Sequence, residues 1–156
     1  MKFFETSKYY SLKKSIYINL RWIGIIGQLV SINLVAFYFD FEFNFIMSNI
    51  VVFLGAISNL YLIFVYKKTL LSERAALIFL FIDLFQLAIL IYLTGGVANP
   101  FVVFLLIPSV FASSYLGLRS NLLLLSTTTF FIIFLTFFSS ELPRPISDHF
   151  HVSPFY

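Results

Sequence analysis

The chain has 156 residues, 60% hydrophobic and only 11% charged, with a net charge of +3. A soluble domain sits nearer about 45–50% apolar and about 25% charged, so too few polar side chains remain here to cover a water-facing surface. The mean hydropathy of +0.97 points to lipid as the solvent, and the absence of cysteine excludes disulfides, thiol switches and thiolate metal sites.

The first stretch, residues 1–20, is basic and aromatic, with Lys2, Lys8, Lys13 and Lys14. It lacks the short apolar core and small-residue cleavage site of a signal peptide. It is expected to be a cytoplasmic, partly interfacial lead-in, with Arg21 and Trp22 marking the membrane boundary. Five apolar segments follow, at about 21–39, 45–66, 75–94, 101–116 and 121–138. Each approaches the roughly 20 residues needed to span about 30 Å of hydrocarbon, the fourth being short. The expected fold is therefore all-α: a polytopic bundle of five transmembrane helices over residues 21–139. A re-entrant hairpin for segments four and five is the rival arrangement, disfavoured by the charge on Arg119 between them.

Orientation follows from the basic residues. With the N-terminus cytoplasmic, the inner segments hold Lys2, Lys8, Lys13, Lys14, Arg21, Lys67, Lys68, Arg74 and Arg119, and the outer segments only Arg144. That is a positive-inside pattern, and it argues against a nucleic-acid surface. Residues 140–156 then form an external, periplasmic loop. The odd number of spans and the unfinished loop lead us to expect truncation before a sixth span.

The sharpest break in the chain is GGVANPF, Gly95 to Phe101, expected at the external surface between the third and fourth segments. Two glycines followed by Asn-Pro end one helix and start another: a glycine takes the left-handed conformation, Asn99 caps, and Pro100 occupies the first helical position. Capping explains these residue types but not Phe101.

Asp83 is the only acidic residue well inside an expected span, and Gln86 lies one turn further on. Ionisable groups at membrane depth are costly and usually face protein. At about 1.5 Å per residue Asp83 lies roughly 16 Å below Thr94, which makes it a packing or coupling residue rather than a ligand contact at the loop. A plain interhelical hydrogen bond is the other reading. In the first span Gly24, Gly27, Gln28, Ser31 and Asn33, and in the second Gly55, Ser58 and Asn59, supply the small and amide side chains that let membrane helices approach and join. His149 and His151 with Asp148 form a weak metal signal, and a solvated loop is the better reading, so no metal site is assigned. No nucleotide loop, nucleophile elbow or catalytic carboxylate pair is present, so the chain itself carries no catalytic residues.

At GGVANPF the sequence resembles the membrane domain of RegB/PrrB/ActS-type redox-sensing histidine kinases, which carries a GGxxNPF motif in an external loop. Gly95, Gly96, Asn99, Pro100 and Phe101 match it in full. Two further stretches agree: RWIGIIGQ, with Arg21, Trp22, Gly27 and Gln28, and the run from Asp83 and Gln86 to Tyr92-Leu93-Thr94. The resemblance covers essentially residues 20–140. It implies a six-span sensory domain of a two-component sensor kinase in the bacterial inner membrane, responding to membrane quinone of the ubiquinone type. The implied quinone site is Gly95, Gly96, Asn99, Pro100 and Phe101, with the Asn99 amide and free helix-start N–H groups donating to a ring carbonyl. Arg21, Trp22, Gln28, Asp83 and Gln86 are candidate coupling or packing residues. The family is a protein kinase (phosphotransferase) that acts as a homodimer on a response regulator, but the phosphoacceptor and ATP-binding domains are absent here. Two other readings stand beside it: a small self-contained membrane protein, such as a transporter subunit or assembly factor, or a quinone-binding subunit without a signalling role.

Overall fold

The computed structural model describes residues 12–38, 41–138 and 144–145. The helices are α1 (Lys14–Tyr38), α2 (Phe45–Phe64), α3 (Glu73–Leu93), α4 (Ile107–Tyr115) and α5 (Leu118–Phe137), with 3₁₀ segments at Gly96–Ala98 and Pro100–Leu106. Two short strands, β1 (Phe41–Glu42) and β2 (Arg144–Pro145), pair antiparallel and leave the all-α class unchanged. Four helices, α1, α2, α3 and α5, are long and apolar enough to cross a membrane.

The local chemistry accounts for most helix ends. Asn44 accepts the Met47 N–H at 3.2 Å to start α2, and Ser72 accepts that of Ala75 at 3.3 Å to start α3. The start of α5 is capped from a neighbour. Its N-cap is Gly117, and the Glu73 carboxylate accepts the Gly117 N–H at 3.0 Å and the Ser120 hydroxyl at 2.7 Å. The Lys14 ammonium donates to the carbonyls of Ile63 and Tyr66, satisfying the C-terminal end of α2.

The fourth apolar segment is a composite. Pro108, which has no N–H to donate, sits in the first turn of α4, and the chain before that helix runs as a 3₁₀ helix from Pro100 to Leu106. At about 2.0 Å per residue those residues advance about 14 Å, where an α-helix would advance about 10 Å. The extra rise lets a short segment approach bilayer thickness. It starts beside Thr94 at the C-terminal end of α3 and finishes beside Glu73 at the other end, so it crosses the bundle rather than re-entering.

Successive helices therefore alternate in direction. One end of the bundle gathers Lys14, which donates its N–H to Thr69 at 3.0 Å, with Glu73 and Gly117; the other holds β1, β2 and the loop from Thr94 to Phe101. Among the spans α3 is the most buried, packing against α2, α4, α5 and both 3₁₀ segments, while α1 lies against α2. The packing is inside-out relative to a soluble bundle. On α2 the buried stripe is Ser48, Val52, Gly55, Asn59 and Leu62, whereas Ile46, Phe53 and Phe64 stand exposed. Small and amide side chains face protein, and bulky apolar ones face outward to lipid.

Candidate ligand-binding site

The loop after α3 is built by two left-handed glycines. Gly95 has φ 114° and Gly96 φ 60°, conformations that a Cβ disfavours. Both are buried, so the backbone turns inside the protein. Asn99 then fastens the turn with every group it has. Its Nδ2 donates to the Thr94 carbonyl at 3.1 Å and to Thr94 Oγ1 at 2.7 Å, and its Oδ1 accepts the Phe101 N–H at 2.9 Å. Its own N–H is donated to the Gly96 carbonyl at 3.1 Å, and its carbonyl accepts the Val102 N–H at 3.0 Å. The donors expected to reach a ring carbonyl, the Asn99 amide and the Phe101 N–H, are thus engaged within the loop. Asn99 is a brace that sets where Pro100 and Phe101 lie.

Beneath the loop, between α1, α3 and the 3₁₀ segment, is a partly open cavity of about 570 Å³. Asn99, Pro100 and Phe101 form its upper rim, and Leu87, Leu90 and Ile91 of α3 its floor. Gln28, Ser31 and Ile32 of α1 form the facing wall. The Phe101 and Phe104 rings lie 5.5 Å apart, tilted by 34°, and make an aromatic side. Gly95 and Gly96 shape the turn without lining the cavity. Of the candidate coupling or packing residues Arg21, Trp22, Gln28, Asp83 and Gln86, only Gln28 lines it; Gly27 and Ser31, singled out as small packing residues, line it too. Gln28 Oε1 accepts from Gln86 Nε2 at 3.0 Å, while Gln28 Nε2 has no partner among the described residues. The cavity thus offers apolar walls, one aromatic side and a convergent amide, within the range of about 300–1,000 Å³ usual for small-molecule sites. Nothing local to GGVANPF marks Gln28 as a neighbour; its place in RWIGIIGQ is the one sequence signal that does.

No protein-family model matches the chain, and no solved structure matches it. Among curated proteins the chain is similar to the sensor histidine kinase RegB of Cereibacter sphaeroides, 31% identical over 130 residues. The match takes in 83% of this chain and 28% of that protein, so the chain spans little more than a quarter of its relative. The chain is a RegB-type membrane sensory domain. With its four long apolar helices, it is an integral membrane protein.

The remaining candidates in this RegB-type domain lie elsewhere. α1 starts at Lys14, seven residues before the expected start, so Arg21 lies two turns inside the helix, buried against protein. Its Nη2 and Nε lie 2.7 and 2.8 Å from Asp83 Oδ1, and Nη2 also donates to Ser58 Oγ at 2.9 Å. Nη1 reaches Asn59 Oδ1 at 3.5 Å, and the Tyr17 hydroxyl donates to Asp83 Oδ2. The guanidinium also stands 5.6 Å from the Tyr17 ring centroid and 5.7 Å from that of Phe79. A charge in hydrocarbon needs this many partners. Tyr17 was missed because it fell in the expected lead-in. The signal that reveals it is the four-residue spacing of Tyr17, Arg21 and Ile25, which puts all three on one face of α1. Trp22 is half-buried at the edge of the cluster formed by Ile25, Ile32, Val52 and Leu90. Among the described residues no three His, Cys, Asp or Glu side chains gather. Asp148, His149 and His151 lie outside the described residues.

Proposed function

We propose that this domain senses the redox state of membrane quinone, held in the cavity beneath Gly95–Phe101, as the input of a two-component histidine kinase. The observation that carries this reading is the cavity itself. It joins the Asn99-Pro100-Phe101 rim to Gln28 of α1, which lie in two of the three stretches in which the sequence resembles redox-sensing kinases. A quinone ring is flat and apolar with two acceptor carbonyls; Phe101 supplies a face for it and Gln28 Nε2 a donor. The cavity is partly open, which gives an isoprenoid tail a way out. On this reading the domain sits in a bacterial inner membrane, multi-pass, with the Lys14 end cytoplasmic and the loop outside, as the spread of basic residues supports. A homodimeric kinase core beyond this chain then phosphorylates its response regulator.

Trp22 is the only tryptophan, so its fluorescence reports on α1. The protein in lipid nanodiscs is titrated with decylubiquinone and quenching is followed. Phe101→Ala and Ser31→Phe, the second filling the cavity, are expected to weaken binding at least about tenfold, corresponding to about 1.4 kcal/mol. Parent-like affinity in both variants refutes the assignment.

A further inference from the structure

Resting on that quinone reading, we propose that Gln28 and Gln86 act as an amide relay. Gln28 turns its nitrogen toward quinone and its oxygen toward quinol, and Gln86 carries the change to α2. Gln28 is the one residue that both lines the cavity and bonds to a side chain outside it. The two redox forms make opposite demands on it. A quinone carbonyl only accepts, which suits the arrangement seen, in which Gln28 lines the cavity with Oε1 occupied by Gln86 Nε2 and with Nε2 left without a partner among the described residues. A quinol hydroxyl taken out of water needs an acceptor, since a buried donor without one is costly. Gln28 supplies one by a half-turn of its terminal amide, a torsion with a broad, roughly two-fold profile. That half-turn sets its Nε2 against the Nε2 of Gln86, donor against donor. Gln86 must then turn its own amide or let go.

The position of Gln86 gives that turn a consequence. Its amide lies flat against Gly55 of α2: a Cβ at Gly55 would stand 2.4 Å from Oε1 and 2.6 Å from both Cδ and Nε2. Gly55 and Gln86 also line a second cavity of about 470 Å³, bounded by Phe85 and by Phe131 of α5. Turning the Gln86 amide therefore changes the group that faces the α2 backbone across a gap too small for a Cβ. No electron enters the protein; the two ligands are told apart by hydrogen-bond polarity alone.

The test uses the full chain in nanodiscs, titrated by Trp22 quenching with decylubiquinone and, anaerobically, with decylubiquinol. The readout is the ratio of the two affinities, which general loosening of the fold leaves unmoved. Gln28→Leu is expected to weaken both forms about tenfold. Gln86→Leu frees Gln28 Oε1 and shifts the ratio toward quinol by about three- to tenfold. Gly55→Ala displaces Gln86 without touching the cavity wall and gives the same shift, which covers the case in which Gln86→Leu misfolds. If Phe101→Ala weakens binding while the ratio stays at the parent value in Gln86→Leu and Gly55→Ala, the relay is refuted and the site stands. If Phe101→Ala also binds like the parent, the quinone site is refuted.

Discussion

Arg21 and Asp83 offer the sharpest test of how this bundle is held. Arg21→Leu leaves the Asp83 carboxylate with the Tyr17 hydroxyl alone; Asp83→Leu leaves a buried guanidinium with Ser58 and Asn59. Removing one partner of a buried pair strands the other charge and costs about 3–5 kcal/mol. The double variant Arg21→Leu, Asp83→Leu strands neither. It loses the pair and its side bonds but also their desolvation cost, so it is expected within about 2 kcal/mol of the parent. The cycle then gives a coupling of about 4 kcal/mol or more, well above the roughly 0.6 kcal/mol average of hydrogen bonds between membrane helices. Helix loss is followed by far-ultraviolet circular dichroism as detergent micelles are enriched in dodecyl sulfate. If the double variant falls by the sum of the singles, the two charges are independent and the cluster is not the tie between α1 and α3.

Two further expectations concern the turns. Gly95 at φ 114° is strained by any side chain, so Gly95→Ala is expected to cost about 1–3 kcal/mol. Gly96 at φ 60° lies where asparagine is tolerated, so Gly96→Asn costs less; equal losses in the same unfolding assay refute this assignment of the two glycines. Glu73→Ala removes the cap of α5 and is expected to cost about 1 kcal/mol, less in high salt because Glu73 is exposed. Unchanged amide exchange over Leu118 to Leu122 in that variant refutes the cap.

What could be read in the sequence divides by range. The ranges of α2, α3 and α5 fall within three residues of those expected, because a long apolar run between polar turns is a local signal. The Gly-Gly and Asn-Pro punctuation likewise foretold a left-handed turn with Asn99 at the cap. The start of α1 was misjudged for a physical reason. Lys13, Lys14 and Arg21 look like one basic approach to the membrane, yet Lys14 caps α2 and Arg21 finds Asp83, 62 residues away. Those partners exist only once α1 lies against α2 and α3. The 3₁₀ run from Pro100 to Leu106 was read as plain helix. The cavity too is a product of packing, since Gln28 and Phe101 meet only when α1 and α3 are side by side.

The two links between α1 and α3 differ in kind, and the difference bears on sensing. Arg21 and Gln28 are about 10 Å apart along α1. The first belongs to a cluster in which two charges, a hydroxyl from Tyr17 and a hydroxyl from Ser58 hold one another. The second is a single neutral amide–amide bond beside a cavity. One such bond between membrane helices contributes about 0.6 kcal/mol and at most about 1.7 kcal/mol, whereas breaking a buried ion pair costs about 3–5 kcal/mol. Coupling between a ligand and a distant site is typically about 1–3 kcal/mol. A ligand acting on that scale outweighs the Gln28–Gln86 link and cannot break the Arg21–Asp83 link. Toward α3, the cavity end of α1 is thus held by the weaker link and the opposite end by the stronger one, while Asn33 ties the cavity end to α2 through Asn49 at 3.2 Å. A rearrangement on this scale is therefore expected between α1 and α3 in the half of the bundle nearest the loop.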